Sequence, residues 1–147
     1  MIEKYKSKLT KIFKKNQVVL AYLFGSAVKG KMSSLSDFDF GVLFGKRVKK
    51  REYFDKNLKI GTEISLLLKT DKVDVVTLNT APPLLKHRVV FSGTPLFVSN
   101  QKLKRIFELR VLQEFEDFNY HLETAFKAME KQIKEGTFGK PLKSILK

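Results

Sequence analysis

Residues 20–44, which read LAYLFGSAVKGKMSSLSDFDFGVLF, decide the fold of this chain. The stretch begins and ends with apolar and aromatic runs of the kind that form buried strands. Gly25 and Ser26 come directly after the first run. A glycine permits a tight turn and a close approach of the backbone, and a serine at a helix start offers a hydroxyl and N–H groups to a phosphate. The stretch therefore predicts two strands and a phosphate-binding turn.

Asp37 and Asp39 lie two residues apart at the start of the second run. Residues i and i+2 of a strand point to the same face, so both carboxylates should project together while Phe38 and Phe40 enter the core. Neighbouring carboxylates repel each other unless a positive charge lies between them, and a hard divalent cation that carries phosphate oxygens meets that need. A third carboxylate, Asp74, stands alone in a β-branched run at residues 73–77. We expect it to face the same metal site or a solvated face of the sheet.

The spacing Gly25-Ser26, ten residues, Asp37-Phe38-Asp39 resembles the GSx10DxD pattern of the nucleotidyltransferase superfamily that includes DNA polymerase β. Ser36 fits that pattern, and Lys29 keeps the positive charge where the family often has arginine. Residues 73–79 and 81–89 are similar to the third-carboxylate strand and following helix of the minimal nucleotidyltransferase (MNT) antitoxins, which are paired with HEPN-domain toxins. The likeness covers about residues 1–100.

The resemblance implies a set of roles for these residues. Asp37, Asp39 and Asp74 would be the catalytic carboxylates and the ligands of two Mg²⁺ ions, with Asp74 on the nucleophile side. Gly25, Ser26, Lys29 and Ser36 would bind the nucleotide. In the MNT antitoxins, AMP passes from ATP to a tyrosine hydroxyl of the HEPN ribonuclease and silences it, so a HEPN toxin and ATP are the implied partner and substrate.

Composition is compatible with one small domain. The chain has 147 residues, no cysteine and a net charge of +14. Absence of cysteine excludes disulfides and zinc–thiolate sites and agrees with a cytoplasmic location. No apolar run reaches transmembrane length, and the run at residues 18–24 is better read as a strand than as a signal core. The positive charge comes from scattered lysines without an arginine-rich tract, so we do not expect direct nucleic-acid binding.

The order of elements predicts an α/β (α+β) fold, a small mixed sheet covered by helices on one face, as in the polymerase β palm. Helices are predicted at residues 2–15 and 51–68, the second with Phe54, Leu58 and Leu67 inward. Pro82 should open a further helix that Gly93 ends, and a fourth strand is predicted at residues 96–98. Residues 1–99 would form the nucleotidyltransferase domain, and residues 100–147 a helical extension of the same compact unit. His87 is expected to pack, and Arg88 to form a structural ion pair in preference to a phosphate contact.

An apolar stripe runs along the helical extension at steps of three and four residues, from Leu103 to Ile133. It is longer than a small sheet can cover. One interpretation is a helix or helical hairpin folded onto its own domain. The other is that the distal half, residues 118–133, binds a partner.

Three functions remain open on the sequence. The first is a protein adenylyltransferase antitoxin, and the second is a small-molecule nucleotidyltransferase of the aminoglycoside-modifying kind. The third is a module that neutralises its partner by binding without catalysis. The three carboxylates disfavour the third function, and the lack of an added domain for an acceptor pocket disfavours the second. A neighbouring gene for a short helical protein with an Arg-x4-6-His motif would favour the first.

Overall fold

The computed structural model describes residues 2–25 and 37–137. These residues form four strands and four α-helices. In chain order the elements are α1 (Lys6–Lys15), β1 (Val18–Phe24), β2 (Phe38–Phe44), α2 (Tyr53–Leu68), β3 (Val73–Thr77), α3 (Pro83–Ser92), β4 (Thr94–Val98) and α4 (Gln101–Glu135). Short 3-10 turns precede α1 and α2, at Ile2–Tyr5 and Lys50–Glu52. Every helix and strand predicted within the described residues is present, including the helix that begins after Pro82 and ends at Gly93.

The strands form one sheet in the order β3-β2-β1-β4. β1 pairs antiparallel with both β2 and β4, whereas β2 and β3 run parallel. The parallel pair requires a crossover, which α2 provides between β2 and β3. The mixed sheet expected from the sequence is therefore confirmed, with β3 and β4 at its edges.

Helices cover both faces of the sheet, so the expectation of helices on one face is wrong. Alternate residues of β1 enter two different clusters: Ala21 and Leu23 pack with α1 and α2, whereas Leu20 and Tyr22 pack with α3 and α4. Successive side chains of a strand point to opposite faces, so the clusters lie on opposite sides of the sheet. The apolar composition of β1 on both faces, with six of its seven residues buried, required this arrangement.

The inward face of α2 differs from the prediction. Ile60 and Ile64 are fully buried against the sheet, and Leu67 is partly buried. Phe54 and Leu58, which we expected to point inward, are 74% and 56% exposed. Apolar residues recur at helical spacing on two faces of this helix, and the period alone does not say which face meets the sheet.

α4 is one continuous helix of 35 residues, about 52 Å long, and not a hairpin. Its first half is anchored: Val111 is buried in the α3 side of the core, and Leu103 and Phe107 pack against that cluster. An ion pair from Lys86 of α3 to Glu114 adds to the contact, and a second ion pair, Lys104 to Glu108, lies within α4.

The distal half of α4 leaves the core. Phe118, Leu122, Phe126 and Ile133 are between 37% and 58% exposed. The described part of the chain therefore does not cover this end of the apolar stripe. No helix among the described residues is both long and apolar enough to span a membrane.

Candidate functional site

The three carboxylates lie at one end of the sheet. Asp39 is the second residue of β2, and its register partners are Phe24 at the end of β1 and Asp74 on β3. Register partners point to the same face, so Asp39 and Asp74 lie side by side. Asp37 precedes the first residue of β2 and is exposed. As the alternation predicted, Phe38 and Phe40 are buried on the opposite face, with α1 and α2.

Gly25 touches this group directly. Its φ is +80°, a conformation that residues with a Cβ rarely adopt. A Cβ built on Gly25 would lie 2.3 Å from Asp39 Oδ2, far inside contact distance. The glycine is therefore required twice, for the backbone turn and for the space beside the carboxylate. This close approach places the first half of the sequence motif against the second.

Electrostatics single out Asp39 among the three carboxylates. Burial raises the pKa of Asp39 above its ordinary value, and the negative charges of Asp74 and then Asp37 raise it further. The guanidinium of Arg88 on α3 lowers the same pKa and offsets part of the rise. Asp39 is thus ionised at a cost that a second positive charge would reduce.

The donor set fits a hard divalent cation. The charges of Asp74 and Asp37 both act on Asp39. All three side chains supply oxygen ligands, the type that Mg²⁺ prefers. Within residues 2–25 and 37–137 no three carboxylate, histidine or cysteine side chains already surround a single point.

Ser26, Lys29 and Ser36, predicted to bind the nucleotide, lie outside the described residues. Their roles remain predictions.

Helix α3 adds a cationic residue that we did not expect at the site. Arg88 is exposed, and its positive charge lowers the pKa of Asp39. Among the described residues it forms no ion pair, so the expected structural ion pair is wrong. The only signal for this along the chain is the position of α3 after the third-carboxylate strand. His87 packs as expected: its ring stacks on Phe115 of α4, with 3.7 Å between centroids, and contacts Phe91.

The fold is shared with solved toxin–antitoxin structures. One, a toxin–antitoxin with AMP-PNP, has 24% identity and a TM-score of 0.66, with 88% of this chain and 98% of the other covered. A second holds a tri-AMPylated Shewanella oneidensis HEPN toxin in complex with its MNT antitoxin, and has 23% identity, a TM-score of 0.62 and coverage of 91% and 99%. A third, of the toxin–antitoxin MntA-HepT, has 23% identity, a TM-score of 0.59 and coverage of 90% and 98%.

Sequence comparison gives the family. No curated protein matches the chain. Residues 7–102 match the family described as polymerase beta, nucleotidyltransferase. That range holds the Gly25 turn, all three carboxylates and the four strands that position them. The chain belongs to the polymerase beta nucleotidyltransferase family.

Proposed function

We propose that this chain is a Mg²⁺-dependent protein adenylyltransferase that acts as an antitoxin. It would transfer AMP from ATP to a tyrosine hydroxyl of a cognate HEPN ribonuclease and release pyrophosphate. Residues 1–99 would carry the reaction, and residues 100–147 would extend the same unit. A cytoplasmic location agrees with the absence of cysteine.

The observation that supports the chemistry best is the environment of Asp39. Burial and the charges of Asp74 and Asp37 raise its pKa, and the charge of Arg88 lowers it. Its carboxylate also lies where a Cβ on Gly25 would collide with it. A purely structural carboxylate would gain nothing from two negative neighbours. Such a cluster is useful when it must receive a cation and a polyphosphate together.

Each residue then has a role in the transfer. Mg²⁺, when bound by Asp37, Asp39 and Asp74, would neutralise the triphosphate and lower the pKa of the attacking hydroxyl. The backbone N–H groups at the Gly25 turn would bind the terminal phosphates. Asp74 accepts the proton as the tyrosine oxygen bonds to the α-phosphorus. The bond from that phosphorus to the bridging oxygen breaks, and pyrophosphate leaves.

The partner assignment is supported by α4 and by the solved structures that share its fold. Those structures contain a HEPN toxin or are toxin–antitoxin complexes. The distal half of α4 exposes Phe118, Leu122 and Phe126, a stripe that the described residues leave uncovered. Burying such side chains contributes roughly 1.5 to 3 kcal/mol each before the costs of association. We propose this stripe as the HEPN-docking surface.

The direct test is label transfer from α-labelled ATP to the HEPN protein encoded beside this chain. Asp37→Asn and Asp39→Asn should each abolish transfer and leave the thermal midpoint unchanged or higher, because each removes a metal ligand and a repulsion. Asp55→Asn on the exposed start of α2 is the matched control and should transfer normally. Retained transfer in both site variants would disprove the metal assignment. Transfer of labelled AMP to an aminoglycoside, without transfer to the HEPN protein, would favour the small-molecule alternative.

A further inference from the structure

The sheet has an open groove along its β3 edge. Its volume is about 730 Å³, and it lies between the outward face of α2 and the edge strand. Residues of α2, of the turn that follows it and of β3 line this space, among them Leu58, Leu66, Val73 and Asp74. Asp74 lines the groove by its place on β3, but its side chain, the register partner of Asp39, lies on the face of the sheet opposite to α2, so the groove runs beside the carboxylate strand.

The floor of the groove is an unpaired strand edge within the part of the chain that the structure describes. Lys72 O accepts from Phe38 N, and Leu78 N donates to Val42 O, so the even-numbered residues of this segment direct their backbone groups at β2. N–H and C=O of successive residues alternate in direction along a strand. Val73 and Val75 therefore turn their backbone groups outward, into the space that they line.

The α2 wall of the groove carries three large apolar side chains that are exposed to solvent. Phe54, Leu58 and Leu66 line it and are 74%, 56% and 75% exposed. All three lie on the face of α2 that turns away from the core. One large apolar side chain on a surface is ordinary, but a row of three beside an open strand edge is typical of a binding surface.

Gly61 supports the same conclusion. It lies in the middle of α2, where glycine costs about 1 kcal/mol relative to alanine. Core packing does not require it, because a Cβ there would meet only Val75 Cγ2, at an ordinary 3.7 Å. Gly61 lines the groove, so a larger side chain at this position would occupy part of it.

We propose that this groove binds an extended segment of the acceptor protein as an added strand on β3. Alternate side chains of that strand would pack on the α2 wall, and those between them would lie on the Asp74 face and deliver the acceptor hydroxyl to Asp74. The inference rests on the proposed function and specifies how its substrate is held. A peptide fits better than an aminoglycoside, because the outward N–H and C=O groups of Val73 and Val75 match a peptide backbone and apolar side chains line the wall. Five residues of β3 offer about 17 Å of edge, at 3.3 Å per residue. The other edge strand, β4, is separated from the carboxylate strands by β1.

Kinetics of groove variants give the first test, with the neighbouring HEPN protein as acceptor. Leu58→Glu combined with Leu66→Glu should lower kcat/KM for transfer at least tenfold and leave Mg²⁺–ATP binding within twofold. Lys59→Glu makes the same change of net charge on an exposed position of α2 outside the groove, and should transfer as the unaltered chain does. Gly61→Leu should also lower kcat/KM tenfold, whereas the midpoint of unfolding should not fall.

Amide exchange of the labelled chain gives the second test. With the HEPN protein and a non-hydrolysable ATP analogue, exchange at Val73 and Val75 should slow at least tenfold. If the unaltered chain transfers no label to protein, the proposed function fails and this inference fails with it. If it transfers normally and the groove variants do too, only the groove assignment is overturned. Slow exchange at both amides before the partner is added would mean that the edge is already paired, and would also overturn it.

Discussion

Gly25→Ala should damage the site through one atom of Asp39. The new methyl group would have its carbon 2.3 Å from Asp39 Oδ2 and 3.3 Å from Asp39 Cγ. An L-residue at a φ of +80° costs about 1 to 2 kcal/mol. Moving the carboxylate off its rotamer costs about 0.5 to 1.5 kcal/mol more. We therefore expect a loss of about 2 to 3 kcal/mol of unfolding free energy, a fall of about 10 °C in the midpoint at this chain length.

A double-mutant cycle separates the collision from the backbone penalty. Asp39→Ala removes both atoms that the methyl would strike and leaves Asp39 Cβ at 3.6 Å, an ordinary contact. In that background Gly25→Ala should cost only the backbone penalty, so the coupling free energy should be about 1 kcal/mol. Gly136→Ala is the matched backbone control, because Gly136 has a φ of +73° and an added methyl group there would meet nothing within 4 Å. Urea unfolding of the four cycle members measures the coupling, and a value of zero would refute the contact.

Three further outcomes are expected. Asp39→Asn should stabilise the chain at pH 7 because the folded pKa of Asp39 is raised. The unaltered folded state holds this proton more tightly than the unfolded state, so its unfolding free energy falls as pH rises from about 4. The gain should vanish in urea unfolding below that pH, and an equal gain at low pH would contradict the assignment. Asp74→Asn should slow single-turnover transfer more than it weakens ATP binding in Mg²⁺. A loss of ATP affinity with a normal transfer rate from the bound state would show that Asp74 has another role. Phe126→Asp combined with Met129→Asp should abolish HEPN binding in calorimetry and keep ATP binding. Lys127→Asp makes the same change of net charge and should still bind the HEPN protein. Unfolding of the double variant would mean that the stripe is core.

The strands and the carboxylate pair could be predicted because their signals are local. The alternation of polar and apolar residues around Asp39 predicts from the strand alone which side chains are buried. Phe38 and Phe40 are buried as predicted. Gly25 is predictable from its place in the motif, and its contact with Asp39 gives that place a physical reason.

Features set by tertiary packing were harder to predict. α2 has apolar side chains on two faces, and only the docked sheet shows that Ile60 is inside and Phe54 outside. The effect of Arg88 on the Asp39 pKa depends on how α3 packs against the sheet, which no spacing along the chain encodes. The apolar stripe is compatible with one continuous helix and with a hairpin, so the periodicity could not distinguish the two. The structure shows one continuous helix.

The anchoring of α4 at one end gives the helix a gradient of local stability. Tyr22, fully buried, donates its hydroxyl hydrogen to Glu108 Oε2 at 3.2 Å, and the burial of the phenol together with the Glu108 charge raises the Tyr22 pKa. From Val111 to the end of the helix there are 24 more residues, about 36 Å, with few core contacts. Amides near Glu108 should therefore exchange only when the whole domain opens, and those beyond Phe118 through fraying that leaves the sheet intact. A partner that binds the distal turns would suppress this fraying, and part of its binding energy would be used to order the end of the helix.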